Sequence, residues 1–147
     1  MVTKLHGVHP RLVQAYHQLS AALAELGHPI IVTDGLRTAD QQAQLYAQGR
    51  TLPGRIVTHA DGILRRSNHQ AKADGFGHAI DCAFLVENRP SWAERHPWQL
   101  YGEAAKALGL VWGGSWPRFP DRPHIELPES LLDGPSVGAD VPGGGAQ

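Results

Sequence analysis

The sequence predicts one compact domain that mixes amphipathic helices with short strands. Three observations carry this: apolar residues at helical spacing in three segments with capping signals, short strand-like runs bounded by turn residues, and a length of 147 residues at 41% hydrophobic content, which suits one core and not two ordinary domains.

After Pro10, the residues Leu12, Tyr16, Leu19, Leu23 and Leu26 recur at helical spacing, and Gly27 stands where a left-handed C-terminal cap belongs. The run from Pro29 to Thr33 is short, β-branched and closed by Asp34-Gly35, which predicts a buried strand delivering Leu36 and Arg37 to its end. Thr38 and Gln41 form a capping-box signature for a second, short helix running through Leu45 and Tyr46 to Gly49. Residues 51–74 are rich in Gly, charge and His without a period, so an irregular functional loop is expected there. From Gly77 to Leu85 the chain reads as a central strand. Ser91 and Glu94 suggest another capping box. Trp98, Tyr101, Ala105 and Leu108 then mark a third helix that starts near Pro97 and ends at Gly109. Leu110 to Trp112 is a brief strand, Gly113-Gly114 a turn, and His124 to Leu127 a last strand. The domain is expected to span residues 1–133, with the Gly- and Pro-rich stretch 134–147 a disordered tail or linker remnant.

Composition excludes several classes of function. A net charge of -1 gives no electrostatic footprint for nucleic acid, and no apolar run approaches the roughly 18 residues of a membrane span. Cys82 is the only cysteine, so it forms no internal disulfide, and nothing between Met1 and Leu26 resembles an export signal. The expectation is a monomer made in a bacterial cytoplasm, with no nucleic-acid partner and no membrane insertion. Nine histidines against 13 Lys plus Arg raise the question of which of them bind something.

A catalytic metal site needs three neutral-His or carboxylate ligands and one open position. Strand alternation puts Ala79 and Asp81 on one face, with His78, Ile80 and Cys82 on the other. The small Ala79 leaves room for an ion beside Asp81. By the same alternation His124 and Glu126 share a face, with Ile125 and Leu127 packed behind. Asp121 lies three residues before His124, and the stiff Pro123 suits a carboxylate held beside a metal without ligating it, as a general base is. Glu126 is the alternative base. Spacing alone leaves these residues open to a purely structural reading.

Four stretches, Asp34-Gly35-Leu36-Arg37-Thr38, Ser67-Asn68-His69, Gly77-His78-Ala79-Ile80-Asp81, and Trp112-Gly113-Gly114-Ser115-Trp116 with Asp121-Arg122-Pro123-His124, resemble the D-alanyl-D-alanine carboxypeptidase and L-alanyl-D-glutamate peptidase family, in the family's order. The resemblance covers roughly Leu5 to Leu127. It implies an α+β fold shared with hedgehog and lysostaphin-like domains: a small, mainly antiparallel sheet with helices on one side and a zinc cleft on the other. It implies Zn²⁺ held by His69, Asp81 and His124, Asp121 as catalytic acid/base, Arg37 as a substrate-clamping arginine and Ser67 as a substrate-binding residue. Compact members place the first His seven positions before the Asp. Asp74 occupies that place here, so His69 requires a five-residue insertion, and His59 is the alternative ligand. Position 115 is Ser where such peptidases often carry Asp.

The function implied is hydrolysis of the peptidoglycan stem peptide, at the L-alanyl-D-glutamate bond, in the manner of a phage endolysin released through a holin-type pore. The alternatives are a D-Ala-D-Ala carboxypeptidase or dipeptidase, and an inactive zinc-containing wall-binding module. Outside the motifs, Trp112 and Trp116 are candidates to stack on substrate. His78 is expected to be structural, Cys82 a small core residue, and His6, His9, His17, His28 and His96 surface residues.

Overall fold

The structure, a computed structural model, describes residues 3–132. The expected tail lies outside the described residues. Helix α1 spans Pro10–Glu25, with proline at its first position and the His9 ring accepting a bond from the Arg11 amide at its N-terminus. Leu12, Ala15, Tyr16, Leu19 and Leu23 form its buried stripe. Leu26, read as the last member of that stripe, is exposed instead, because the chain turns out of the helix there into Gly27 at φ 88°.

Strand β1 is Ile30–Asp34, helix α2 Ala39–Ala47 and strand β2 Ala79–Val86. The Thr38 and Gln41 capping box at the start of α2 is formed in full. Between α2 and β2 the chain runs without helix or strand, as expected from its composition. Strand β3, Arg89–Ser91, was not foreseen. It pairs with β2 through a tight turn in which Glu87 and Asn88 both take positive φ, a hairpin signal masked by Pro90, which argues against a strand. Ser91 therefore ends a strand and begins no helix; its hydroxyl meets His96 at 2.7 Å. Helix α3, Trp98–Ala107, starts after Pro97, which in the interior of a longer helix would have removed a backbone bond.

Strands β4, Val111–Trp112, and β5, His124–Glu126, complete an antiparallel sheet in the order β1-β2-β5-β4. Along one edge of β2 lies β1. The other edge is shared, with β5 opposite Ala79–Asp81 and β3 opposite Phe84–Val86. Helices α1 and α3 pack together against one face, where Ile80, Cys82, Phe84 and Ile125 join Leu12, Leu19, Leu23 and Tyr101 in the core. Asp81 and His124 consequently point to the opposite face, away from α1 and α3. Among the described residues, no helix is long and apolar enough to cross a membrane.

His9, His28 and His96, expected at the surface, are partly buried and have partners, and His78, expected to be structural, is buried. His9 and His78 bracket the carboxylate of Asp74, at 3.8 and 2.8 Å from its Oδ2, and their rings meet edge to face. This clasp ties the start of α1, the long loop and the start of β2. His28 and His96 pack on Phe84. Helical spacing does not reveal such contacts, because Asp74 and His78 lie outside any helix and the other pairs join residues far apart in the chain.

Candidate active site

Asp81 and His124 face each other as register partners on β2 and β5. His69 arrives from the irregular segment before β2 and has no strand to hold it. Its backbone carbonyl accepts from the Arg37 amide at 2.8 Å, its amide donates to the Ser67 hydroxyl, and its ring Nδ1 sits 2.9 Å from the Gly35 carbonyl. A carbonyl only accepts, so Nδ1 carries a proton, which leaves Nε2 as the nitrogen that can offer a lone pair to a metal. That Nε2 lies 3.5 Å from Asp81 Oδ1, and His124 Nδ1 lies 3.4 Å from the same oxygen. The structure thus brings His69, Asp81 and His124 together, and it leaves His59 outside that group, exposed and tilted against the Phe119 ring.

A metal ion fits this group. His69 Nε2 and Asp81 Oδ1 are buried and neither makes a hydrogen bond, a costly arrangement for two polar atoms unless a cation lies between them. Tetrahedral donors about 2.0 Å from an ion sit roughly 3.3 Å apart, close to both separations above. The electrostatics agree. Burial works to raise the Asp81 pKa, but the His124 and His69 imidazoles outweigh it and hold the carboxyl far below its usual range. Burial works to lower the His124 pKa, yet Asp81 and Glu126 push it up to about 9. A field that favours a proton there also favours a metal cation.

Two carboxylates stand side by side across β1 and β2: a bulge after Val32 brings Asp34 opposite Asp81. Arg37 resolves the repulsion. Its Nε and Nη2 both reach Asp34 Oδ2 at 2.7 Å, Nη2 reaches Asp81 Oδ2 at 3.3 Å, and Nη1 donates to Gln42 at 2.9 Å. The guanidinium therefore holds the outer oxygen of Asp81 and leaves the inner one facing the histidines. Gln42, fully buried, also donates to Thr58 and Ala60 and so fastens the long loop to α2.

On the far side, Glu126 Oε1 lies 2.7 Å from His124 Nε2, and Asn68 donates to Glu126 Oε2 at 2.9 Å. Sequence reasoning placed Glu126 on this face but missed Asn68, whose partner is far away in the chain. The Glu126 carboxylate occupies the ring nitrogen opposite the one that faces Asp81, which turns it away from the position a base would need.

Asp121 Oδ2 lies 3.9 Å from His124 Nδ1. Burial and the charge of Asp81 raise its pKa, with His124, His69 and Arg37 opposing. Its segment is held from below: Tyr101 donates to the Pro123 carbonyl at 2.7 Å and Trp112 Nε1 to the Arg122 carbonyl at 2.8 Å. Above it, the Asp121 amide bonds to Gly113, where a Cβ would stand 2.5 Å from the Asp121 carbonyl oxygen. Trp112 is therefore not brought to the substrate side. It is buried in the core beneath the Asp121 segment, because β4 alternation turns it toward α3. Trp116 is the tryptophan that reaches the cleft, its ring 5.0 Å from that of His124.

His69, Asp81, His124, Asp121, Glu126 and Trp116 line a cleft of about 660 Å³ that also takes in Ser67, Arg65, Arg66 and Phe119. A family model described as D-alanyl-D-alanine carboxypeptidase matches residues 62–127. The chain is 37% identical over 122 residues to the peptidoglycan L-alanyl-D-glutamate endopeptidase CwlK of Bacillus subtilis (strain 168), covering 82% of this chain and 73% of that protein. Among solved structures, the L-Ala D-Glu endopeptidase ChiX of Serratia marcescens matches with a TM-score of 0.56 and 26% identity over 85% of this chain and 84% of that one. DacB from Streptococcus pneumoniae D39 matches with a TM-score of 0.60 and 19% identity, covering 85% and 68%, and shows the shared fold.

Proposed function

Because the chain belongs to the D-alanyl-D-alanine carboxypeptidase and L-alanyl-D-glutamate peptidase family, we propose that it is a zinc-dependent peptidoglycan peptidase cleaving the L-alanyl-D-glutamate bond of the stem peptide. The observation that carries this reading is the convergence of His69, Asp81 and His124 on one buried point, with Asp121 beside them in an open cleft. CwlK and ChiX, both L-alanyl-D-glutamate endopeptidases by name, support the choice of bond. A structure of the vancomycin-resistance D,D-pentapeptidase VanY, similar in fold, contains Zn(II) and supports the choice of metal.

His69 would hold the ion through Nε2, Asp81 through Oδ1 and His124 through Nδ1. Bound there, zinc supplies Lewis acidity, polarising a carbonyl and bringing the pKa of a water toward about 7. Asp121 acts as the general base: it takes the proton of the attacking water and returns it to the leaving amine. Its raised pKa moves it closer to neutrality, which suits a group that must both accept and release a proton. Arg37 holds Asp81 in its ligating orientation, and Ser67 shapes the turn that presents His69. In the cell, the enzyme would be a phage-type lysin reaching the wall after release from the cytoplasm.

Digestion of purified peptidoglycan, with mass spectrometry of the new amino termini, tests the reading. New D-glutamyl amino termini are expected. Release of D-alanine would reassign the bond, and an undigested wall in the presence of zinc would reject the activity.

A further inference from the structure

We propose that Arg65 and Arg66, rather than Arg37, receive the carboxylates that a stem peptide carries on the leaving side of its scissile bond. The inference deepens the peptidase reading above and rests on it. A D-glutamyl residue in a peptidoglycan stem is joined onward through its side-chain carboxyl, so its α-carboxylate stays free beside the bond to be cut. Where the next residue is diaminopimelate, another carboxylate follows. A cleft for this substrate needs cations with donors to spare.

Arg37 has few. Each of its three nitrogens already donates within the protein, to Asp34, Gln42 and Asp81, and its side chain is 13% exposed. Turning its planar edge toward a ligand would unpair two adjacent carboxylates, one of them a proposed metal ligand. Arg65 and Arg66 are placed differently. Both line the cleft wall and both are exposed. Arg66 donates to the neutral Ala71 carbonyl, and neither guanidinium pairs with a carboxylate among the described residues. Inside the cleft, the Asp81, Asp121 and Glu126 carboxylates all lie against His69, His124 or Arg37, which leaves the two rim arginines without a carboxylate partner among the described residues.

The backbone carrying the two arginines is built to stay in place. Asp61 Oδ1 accepts from the amides of Ile63, Leu64 and Arg65 at 2.9 to 3.0 Å. Gly62 bonds to the Arg65 carbonyl, and the buried Gln70 holds Gly62 from beneath while also accepting from the Ser67 amide. Two adjacent cations on a fastened turn, bordering a metal cleft, form a receptor for an anionic peptide.

The test compares L-Ala-γ-D-Glu-diaminopimelate with the same peptide bearing carboxamides in place of its free carboxylates. The zinc-loaded wild type is expected to favour the acid about five- to tenfold in kcat/KM, less at high salt. Arg65→Gln/Arg66→Gln is expected to lose that preference, its kcat/KM on the acid falling to its value on the amide, with zinc content and Tm showing that it folds. Arg37→Gln is expected to weaken cleavage of both peptides and keep their ratio. Binding of the D-Glu-γ-diaminopimelate product and of its amide to each protein, measured by calorimetry, should show the same acid preference and the same loss. If the wild type cleaves neither peptide, the peptidase reading fails and the calorimetric preference alone decides the arginines. A wild type without preference, a double variant that retains it, or an Arg37→Gln variant that abolishes it would overturn the proposal.

Discussion

His69 Nε2 and Asp81 Oδ1 lie 3.5 Å apart, both buried and neither hydrogen-bonded. Two such atoms define a cation site more sharply than any motif does. Asp81→Ala and His69→Ala should therefore lose both bound zinc and turnover, whereas Asp121→Ala should keep the metal and lose about 10²- to 10⁴-fold in rate. His59→Ala should retain both. Zinc stoichiometry and wall digestion on the four variants check this, and full metal content in His69→Ala would move the first ligand elsewhere.

Glu126 works through His124. A ligand imidazole is held in orientation by what its other nitrogen bonds, and loss of such a partner typically costs about 10- to 100-fold in metal affinity. Glu126→Ala is expected to weaken zinc by that order in a chelator competition, with Glu126→Gln, still an acceptor, losing less. Wild-type affinity with a collapsed rate in Glu126→Ala would instead make this carboxylate the base.

The Asp121 segment depends on two aromatic residues that never meet the substrate. Tyr101→Phe removes the hydroxyl that holds the Pro123 carbonyl, a bond worth about 1 kcal/mol. The carbonyl still accepts from the Cys82 amide, so the fold should survive with a slightly lower Tm. Turnover should fall with KM little changed, because the base is displaced and the binding surface is not. A lowered Tm with unchanged kcat would show that the segment keeps its place without this bond.

The clasp of His9, Asp74 and His78 gives the fold an acid sensitivity separate from the metal. Burial, with the charges of His78 and Arg11, lowers the His9 pKa despite Asp74, so the unfolded chain binds more protons and stability falls as pH drops through about 6.5. Burial works to raise the Asp74 pKa, but the Phe76 amide and His78 outweigh it and the net shift is down. Its contribution is full above the ordinary carboxylate range near 4 and is lost as pH falls through the lower folded value. Thermal melts from pH 7 to 3 should show both declines, and Asp74→Asn should make the lower one shallower, leaving the part that Asp61, Asp81 and Glu126 contribute. An unchanged profile in that variant would show that the carboxylate adds nothing.

Much of this arrangement was legible in the sequence because periodicity and motif order report on local structure. The α1 stripe, the Thr38 capping box and the faces of β2 and β5 follow from spacing of two or 3.6 residues. What escaped depends on tertiary register. Strand β3 hides behind Pro90, and Ser91 sits in a cap-like pattern that Pro97 prevents from becoming a helix. Trp112 was read as a substrate residue because it flanks a glycine turn, but its orientation depends on where α3 packs. The Asn68 to Glu126 bond joins residues that no local pattern relates.

His69 stands on a stretch that owns no helix or strand and is fastened by side chains: Asn68 ties it to β5, Gln42 ties it to α2, and Gln70 braces it on itself. An ion bridging His69 to Asp81 and His124 would cross-link that stretch to β2 and β5. Occupancy should then be readable without any substrate: trypsin, which cuts after arginine, should attack Arg50, Arg55, Arg65 and Arg66 faster once a chelator is added, and slower again when zinc is returned. Cleavage at equal speed in both states would mean that the side-chain fastenings suffice. If the expected protection is seen, a wall-cutting enzyme of this design would be shielded from proteolysis only while armed, and metal supply would set its lifetime as well as its rate.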